Sequence, residues 1–300
     1  MSPMRIVILG NGTAQQPSSG WHTNDLLRAA ANLPGDLTID YVGWNELTTR
    51  IDRNGESITD AKQPFQAVLV RGMPGGSLEQ VIFRMNLLAR LQASGTTVLN
   101  SPRSLEIAID KYLSLSMLAA SGLPVPSTQV CQTVEQSLTA FETLGGDVVV
   151  KPVFGGEGRG LFRVTNRELA VRSFRAILNL QGVVYLQSFV KHAGFDTRVL
   201  VIGDRIFAMR RHNDLDWRTN ASRGATCQAV QPTARQLELA TKAARSLGTS
   251  IAGVDIIEDS DGNSFVLELN GIPGWQSLSK VCDIDVAQVV WKFVLSKTNT

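Results

Sequence analysis

Short apolar runs and longer segments of helical spacing take turns along the first hundred residues. Met4–Leu9 has the pattern of a buried strand closed by the turn Gly10-Asn-Gly12, Trp21–Ala31 has helical character, and Leu37–Val42 returns to a strand. Gln66–Arg71 predicts a further strand, Leu78–Leu91 a helix and Thr97–Leu99 a short strand. Strands that alternate with helices predict an open parallel α/β sheet. A dinucleotide fingerprint is not completed: Gly10-Asn-Gly12 lacks a third glycine at the needed spacing, and no acidic ribose partner follows the second strand. This region reads as a scaffold that helps to hold a substrate and contributes little chemistry.

Asn100-Ser-Pro-Arg marks a boundary. Ser101 suits a helix cap and Pro102 a first helical position, which predicts one helix running to about Ala120 with Asp110-Lys111 near its middle. Ser121-Gly122 ends it, and Pro124 and Pro126 keep it from resuming. A strand near Thr128, a helix over 134–144 and the strand Asp147–Lys151 follow. That strand runs into Pro152-Val-Phe-Gly-Gly-Glu-Gly-Arg-Gly160 and then a strand over Leu161–Val164. Glycine permits positive φ and close backbone approach, so successive N–H groups of this loop can gather round a phosphate, with Lys151 adding a point charge. An ordinary glycine-rich hairpin with a surface lysine is the plainer alternative. A strand rather than a helix comes next, so the loop is not a P-loop.

After a helix over 168–178 and the strand Val183–Gln187, Gln187-Ser-Phe-Val-Lys191 changes direction and reads as a linker between a mobile lobe and a larger one. Asp196-Thr-Arg198 opens a hairpin of Val199–Ile202 and Arg205–Met209, with Arg210-Arg211-His212 at its far end. These arginines, with Arg218 and Arg223 in the loop beyond, are either solvated or forks for carboxylate and phosphate. Pro232–Leu247 is an amphipathic helix, and Val286–Leu295 forms a closing one. Between them, the strands Gly253–Glu258 and Phe265–Asn270 carry Asp255, Glu268 and Asn270. Residues two apart share a strand face, which groups Glu268 with Asn270 and turns Leu267 and Leu269 away. Two carboxylates and an amide oxygen suit Mg²⁺; a polar sheet face turned to water fits the same pattern.

Composition narrows the field. At 300 residues, 43% hydrophobic and 19% charged, the chain can build two or three compact domains. A net charge of +2 gives no electrostatic case for nucleic acid. Cys131, Cys227 and Cys282 are far apart and lack CxxC spacing, which points to reduced thiols in a cytoplasmic setting and away from disulfides or zinc. No apolar run approaches the roughly 20 residues of a membrane span. The N-terminus enters a strand without an export segment. A cytoplasmic protein with no membrane or nucleic-acid partner is expected. His22, His192 and His212 are dispersed and read as surface or core residues, and no GxSxG or HExxH motif occurs.

Taken in order, Asp110-Lys111, Val150-Lys151-Pro152 with its glycine loop, Gln187–Val190, Asp196-Thr-Arg198, Arg218-Thr-Asn220, Gly253-Val-Asp255 and Glu268-Leu-Asn270 with Pro273-Gly274 resemble the ATP-grasp superfamily. Within it they resemble the RimK-type α-L-glutamate ligases, from about Ser101 to the C-terminus. The resemblance implies an α/β fold, α+β in its C-terminal part. It implies an N-terminal open α/β domain over 1–100, a lid domain over 101–186 and a C-terminal mixed-sheet domain over 187–300. It also implies an ATP-dependent ligase that activates a carboxylate as an acylphosphate and passes it to an amine. Lys111 and Lys151 match phosphate-binding lysines, and Gly155, Gly156, Gly158 and Gly160 match the lid that closes over the phosphates. Gln187, Ser188, Phe189 and Val190 match the adenine-binding linker, and Asp196 a ribose-side position. Asp255, Glu268 and Asn270 match the ligands of two Mg²⁺ ions, with Mn²⁺ as a substitute.

Arg211 matches a residue that steadies the transferring phosphoryl group, and with Lys151 it forms the expected catalytic pair. Arg218 and Asn220 match the loop at the phosphate end of ATP, and Arg210 and Arg223 are expected on the incoming substrate. The implied substrates are an amino acid, L-glutamate first, and an acceptor that is a protein C-terminus or a cofactor such as a pterin or deazaflavin. Assembly into a homo-oligomer is compatible with the family. Ser188 stands where the family commonly has Glu, the His192-Ala193-Gly194 loop is short, and Trp217, Trp275 and Asn270-Gly-Ile-Pro also depart from the best-known members. These departures bear on the acceptor more than on the ATP chemistry. A D-alanine–D-alanine-type ligase, a non-catalytic nucleotide-binding regulator and, distantly, a Rossmann oxidoreductase are the competing readings.

Overall fold

The computed structural model describes residues 4–12, 20–33, 35, 37–53, 55–59, 65–156, 158–220 and 224–298. Its first sheet is built from β1 (Met4–Gly10), β2 (Leu37–Gly43), β5 (Ala67–Val70) and β6 (Thr97–Leu99), in the order β2-β1-β5-β6. All of its pairs are parallel, as the alternating pattern predicts. Val7, Leu9, Val68 and Val70 face α2 (Leu78–Ala93), while Ile6, Ile8 and Leu69 face α1 (Gly20–Ala30) and α9 (Val286–Thr298). The C-terminal helix therefore packs against the N-terminal sheet. β3 (Thr48–Asp52) and β4 (Gly55–Thr59) form a separate hairpin that the pattern did not predict, because its largely exposed residues carry no apolar alternation.

One predicted helix is two. α3 (Pro102–Ile109) ends and α4 (Lys111–Ala120) begins at Asp110, whose extended backbone breaks the helix. The Asp110 carboxylate accepts from the Tyr112 and Leu113 amides at 2.9 and 3.0 Å, the geometry of an N-cap. Asp110-Lys111 is thus a helix start rather than the middle of a solvated face, and Lys111 becomes the first residue of the new helix.

The second sheet, β7 (Thr128–Cys131), β8 (Val148–Lys151), β9 (Phe162–Val164) and β10 (Val184–Ser188), is antiparallel in the order β7-β10-β8-β9. It buries Val148, Val150, Val184 and Leu186 against α5 (Val134–Thr143) and α6 (Arg167–Asn179). The third sheet contains β11 (Phe195–Ile202), β12 (Arg205–His212), β13 (Thr226–Ala229), β14 (Ile251–Glu258) and β15 (Ser264–Asn270), antiparallel in the order β13-β12-β11-β14-β15. Val199, Val201 and Val254 pack on α7 (Ala234–Ser246) together with Leu118 of α4. The short, exposed β13 and the seven-residue α8 (Gln276–Cys282) escaped the pattern as well.

Asn100 joins the first and third sheets. Its buried side-chain amide donates to the carbonyls of Ile251 and Gly271 at 2.7 and 2.6 Å and accepts from the amides of Ser250 and Ile251 at 2.9 and 2.8 Å. One saturated amide thus fixes the start of β14 and the exit from β15, the two strands that carry the predicted metal ligands.

Candidate active site

A solvent-connected cleft separates the second and third sheets. Its floor follows from strand parity. On β11, Val199 and Val201 face α7, so Asp196 and Arg198 face the other way; on β14, Val254 faces α7 and Asp255 does not. The hairpin begins earlier and ends later than its apolar core predicts, because Asp196–Arg198 pair in register with Arg211–Met209. Arg210-Arg211-His212 therefore lies inside β12 rather than beyond a hairpin end.

Four charges interlock across three strands. Arg211 donates to both carboxylate oxygens of Asp196, its direct cross-strand neighbour, with the Nε contact at 2.8 Å. Arg198 forks onto Asp255 with both bonds at 2.6 Å, and an Arg211 Nη atom lies 2.9 Å from the same carboxylate. Burial pushes the Asp255 carboxyl up, but the charges and hydrogen bonds of Arg198 and Arg211 overcome this and hold it well below the usual carboxylate range. At Asp196, burial wins over the pull of Arg211 and the shift is upward. Both Asp196 oxygens accept from Arg211, so the side chain braces that arginine at the edge of the cleft.

Glu268 sits opposite Asp255 on β15, and Asn270 Nδ2 donates to it at 3.2 Å. The shared face of Glu268 and Asn270 is as predicted, whereas the orientation of Leu267 is not. The β14–β15 register shifts between Asp255 and Ile256, leaving Leu267 as the extra residue of a bulge. Leu267 consequently lines the cleft beside Glu268, while Leu269 enters the core. No group of three His, Cys, Asp or Glu side chains suited to a metal occurs among the described residues. The donor set here is two carboxylates and an amide, a combination that fits a hard cation. Glu268 lines the cleft with no ion-pair partner among the described residues, leaving a carboxylate turned to the space where such a cation would sit.

Above this floor, Lys151 ends β8 and donates from Nζ to Gln187 Oε1 at 2.6 Å, while Gln187 Nε2 donates to Thr128 Oγ1 at 3.0 Å. Burial and the nearby Lys111 charge lower the Lys151 amine to about 8, against the opposing pull of Glu268 and Asp255. Gln187 is thus an orienter of the lysine. The break at Asp110 brings Lys111 to the glycine loop: its amide donates to Val153 O at 3.1 Å and its Nζ to Gly155 O.

The linker that follows is fixed by its own backbone, with Ser188 N donating to Ser127 O and Phe189 N to Asp147 O. Arg163, paired with Asp147, stacks 3.6 Å over the Phe189 ring, which meets Trp217 at a near right angle and His192 at a tilt. Burial lowers the pKa of His192. On the far side, Arg218 forks onto Asp216 and reaches Leu161 O at 3.4 Å, tying the 216–220 loop to the strand after the glycine loop. Gly158 has φ +68°, and a Cβ there would lie 2.7 Å from Asn220 Oδ1. Only glycine allows this approach at that backbone angle.

Lys111, Lys151, Gly156, Gly158, Gln187, Ser188, Phe189, Val190, Asp196, Arg211, Arg218, Asn220, Asp255 and Glu268 therefore meet around one cleft. Gly155 and Asn270 stand just behind its wall, holding Lys111 and Glu268 respectively, and Gly160 is tucked against the Pro152 ring. Arg210 is a correction: being next to Arg211 in a strand it faces the opposite side, where it stacks 4.2 Å over Phe195. Arg223 and Glu157 lie outside the described residues. Sequence reasoning missed the apolar walls Val149, Leu161 and Ile257, and also His192, Trp217 and Thr219. Apolar walls of a slot have the same pattern as core; the aromatic group around Phe189 left a trace only in the unusual Trp217.

Comparison with known proteins identifies the family of the chain. The RimK-like ATP-grasp domain matches residues 108–294. The tetrahydromethanopterin:α-L-glutamate ligase of Methanosarcina acetivorans is 33% identical over 259 residues, 77% of this chain and 80% of that protein. A ribosomal protein bS6–L-glutamate ligase of Escherichia coli is 32% identical over 204 residues, 67% of this chain and 68% of its own. Among solved structures, a RimK-domain ATP-grasp protein from Sphaerobacter thermophilus superposes with a TM-score of 0.73 at 23% identity, covering 96% of this chain and 98% of its own. The ATP-grasp ligase PsnB, in a complex with a precursor variant, Mg and ADP, gives 0.74 at 22% identity, over 99% and 100%. The chain belongs to the RimK-like ATP-grasp family, whose members are ATP-dependent ligases that form carbon–nitrogen bonds.

Proposed function

We propose that this cleft binds Mg–ATP and uses it to join an amino acid, L-glutamate in the first instance, to a carboxylate-bearing acceptor. The observation that carries the reading is the convergence of three cations, Lys111, Lys151 and Arg211, and the open carboxylate of Glu268 on one cleft beneath a glycine hairpin. Lys111 and Lys151 would hold phosphate oxygens, with Gln187 fixing the direction of the Lys151 ammonium. The acceptor carboxylate attacks the γ-phosphorus as its bond to ADP breaks. The amino group of the second substrate then attacks the acyl carbon and releases phosphate, losing its proton to solvent. Arg211, held rigid between Asp196 and Asp255, faces the charge that builds on the transferring group.

Asp255, Glu268 and Asn270 would hold Mg²⁺, which supplies charge neutralisation at the β- and γ-phosphates when bound. The loop over 155–160, docked on Asn220 at Gly158, would exclude water from the acylphosphate. The Phe189–Trp217–His192 group and the linker would form the base end of the slot. The segments 1–100, 101–186 and 187–300 would then act as substrate-holding, lid and catalytic domains.

An ADP-release screen across amino acids and candidate acceptors, with product masses, tests the reading. ADP should appear only when amino acid and acceptor are both present, and one protein or small-molecule acceptor class should give a product heavier by the added residue. Steady ADP release without an acceptor would remove amide ligation.

A further inference from the structure

The rule for open α/β sheets places a second crevice at the carboxyl ends of the parallel strands. In the order β2-β1-β5-β6 the chain leaves β1 to one side and returns to β5 on the other, so the switch point falls between the ends of β1 and β5. Ligands of open α/β sheets characteristically enter there. Those ends are Gly10-Asn11 and Arg71-Gly72, and across from them runs the turn Pro273-Gly274-Trp275 that follows Asn270.

Among the described residues Arg71 has no counter-ion in this crevice. Its Nη2 donates to Pro273 O at 3.0 Å and its guanidinium lies 4.3 Å from the centre of the Trp275 ring, but no carboxylate among the described residues pairs with it. Its Nε is shut off from water and has no hydrogen-bond partner. With nothing to offset burial, the pKa of Arg71 falls to about 9. The surroundings are not arranged to supply the missing charge. Asp25, which accepts from Trp275 Nε1 at 3.0 Å, is engaged by Arg28. His22 Nε2 accepts from the Trp275 and Gln276 amides at 2.9 and 3.2 Å, which fixes it as a neutral ring beside the arginine. Asn11 Oδ1 is also buried, without a donor among the described residues, and packs so close to Gly72 that a Cβ there would meet it at 2.9 Å.

A guanidinium with no carboxylate partner among the described residues, at a strand switch point, complements a ligand's carboxylate. The crevice also adjoins the cleft. Pro273, which takes the Arg71 bond, packs against Gly253 beside the Arg198 guanidinium that forks onto Asp255. We infer that Arg71 is a substrate-positioning residue that binds a non-reacting carboxylate of a ligation substrate. The inference rests on the ligase reading above, because it places that carboxylate next to the proposed phosphoryl-transfer floor. A guanidinium fork suits bidentate capture of a carboxylate.

The test uses the full chain loaded with Mg–AMPPNP, whose binding is measured first and separately. L-glutamate, L-glutamine, 4-aminobutyrate, glutarate and the neutral glutaramide are then titrated by calorimetry into wild type, Arg71→Met and Arg71→Lys. Wild type should bind carboxylate probes and not glutaramide. Arg71→Met should weaken the carboxylates by about 10- to 100-fold, the loss of a charged bidentate bond, with nucleotide affinity unchanged. Arg71→Lys, which keeps the charge without the fork, should fall between. Glutarate that competes with L-glutamate would place the amino acid there, and L-glutamine against 4-aminobutyrate would identify which of its carboxylates is held. Glutarate that binds without competing would assign the crevice to the acceptor. Equal binding by Arg71→Met, or no carboxylate binding by nucleotide-loaded wild type, overturns the inference; the wild-type arm decides even if the variants fail to fold. A wild type that fails to bind nucleotide would instead sink the ligase reading.

Discussion

Arg211 on β12 reaches past the whole of β11 to lie 2.9 Å from Asp255 on β14, while its other contacts hold Asp196 on the intervening strand. The predicted phosphoryl-steadying arginine and a predicted metal ligand are thus one mechanical unit. Taking away one member of such a buried set leaves the rest uncompensated. Asp196→Ala should therefore lower stability by about 3–5 kcal/mol, read from urea unfolding. Asp196→Asn, which can still accept from Arg211, should fold and lose turnover with little change in ATP affinity. If Asp196 contacts ribose instead, the loss will appear in ATP affinity.

Lys151 carries a pH prediction. Its folded value of about 8 lies below the ordinary 10.5, so the charged form is disfavoured in the empty cleft and lost as pH rises through 8. If ATP needs the ammonium, its affinity should decline above pH 8 in wild type and stay flat in Lys151→Arg, whose charge persists. The same depressed value makes a stability contribution that is fully present above 10.5 and lost as pH falls through 8. Fluorescent-nucleotide titrations from pH 7 to 10 decide the first point.

Gly158→Ala must bear both a left-handed backbone and a Cβ against Asn220. A cost of about 1–2 kcal/mol for the backbone alone corresponds to a roughly 5- to 30-fold effect on the closed lid. The expected signature is uncoupling, with more ADP formed per amide as water reaches the acylphosphate. An unchanged ratio would separate the loop from lid function.

Glu268→Gln removes the carboxylate that faces the cleft without an ion pair. Turnover should drop by about 10²–10³-fold, the size of effect seen when a group that stabilises transition-state charge is lost. Titration with Mg²⁺ should show a higher half-saturation. Unchanged turnover would contradict metal ligation by this residue.

Much of this was legible in the chain because the chemistry is carried by strand ends and loops with unusual composition. Strand parity grouped Glu268 with Asn270, and glycine's backbone freedom marked the loop after Lys151; it was the resemblance to the ATP-grasp superfamily that implied they share one site. What stayed hidden depended on registry. Nothing local reveals that Asp196 would be opposite Arg211 and spent on it, or that a bulge would turn Leu267 into the cleft. The Asp110 break was concealed because a helix through it satisfies the same apolar pattern, and only the cap bonds to Tyr112 and Leu113 expose it. Arg71 looked like the last residue of a buried strand; its lack of a counter-ion among the described residues is a property of the folded crevice.

The central claim is that a carboxylate is activated by the γ-phosphoryl group of ATP within this cleft. Its most direct test uses the first acceptor to give turnover, with the reacting carboxylate labelled in heavy oxygen, and follows the label by mass spectrometry. The account predicts that one labelled oxygen appears in inorganic phosphate for each amide formed, and none in the nucleotide. Label recovered in AMP, or phosphate free of label while amide accumulates, would contradict it.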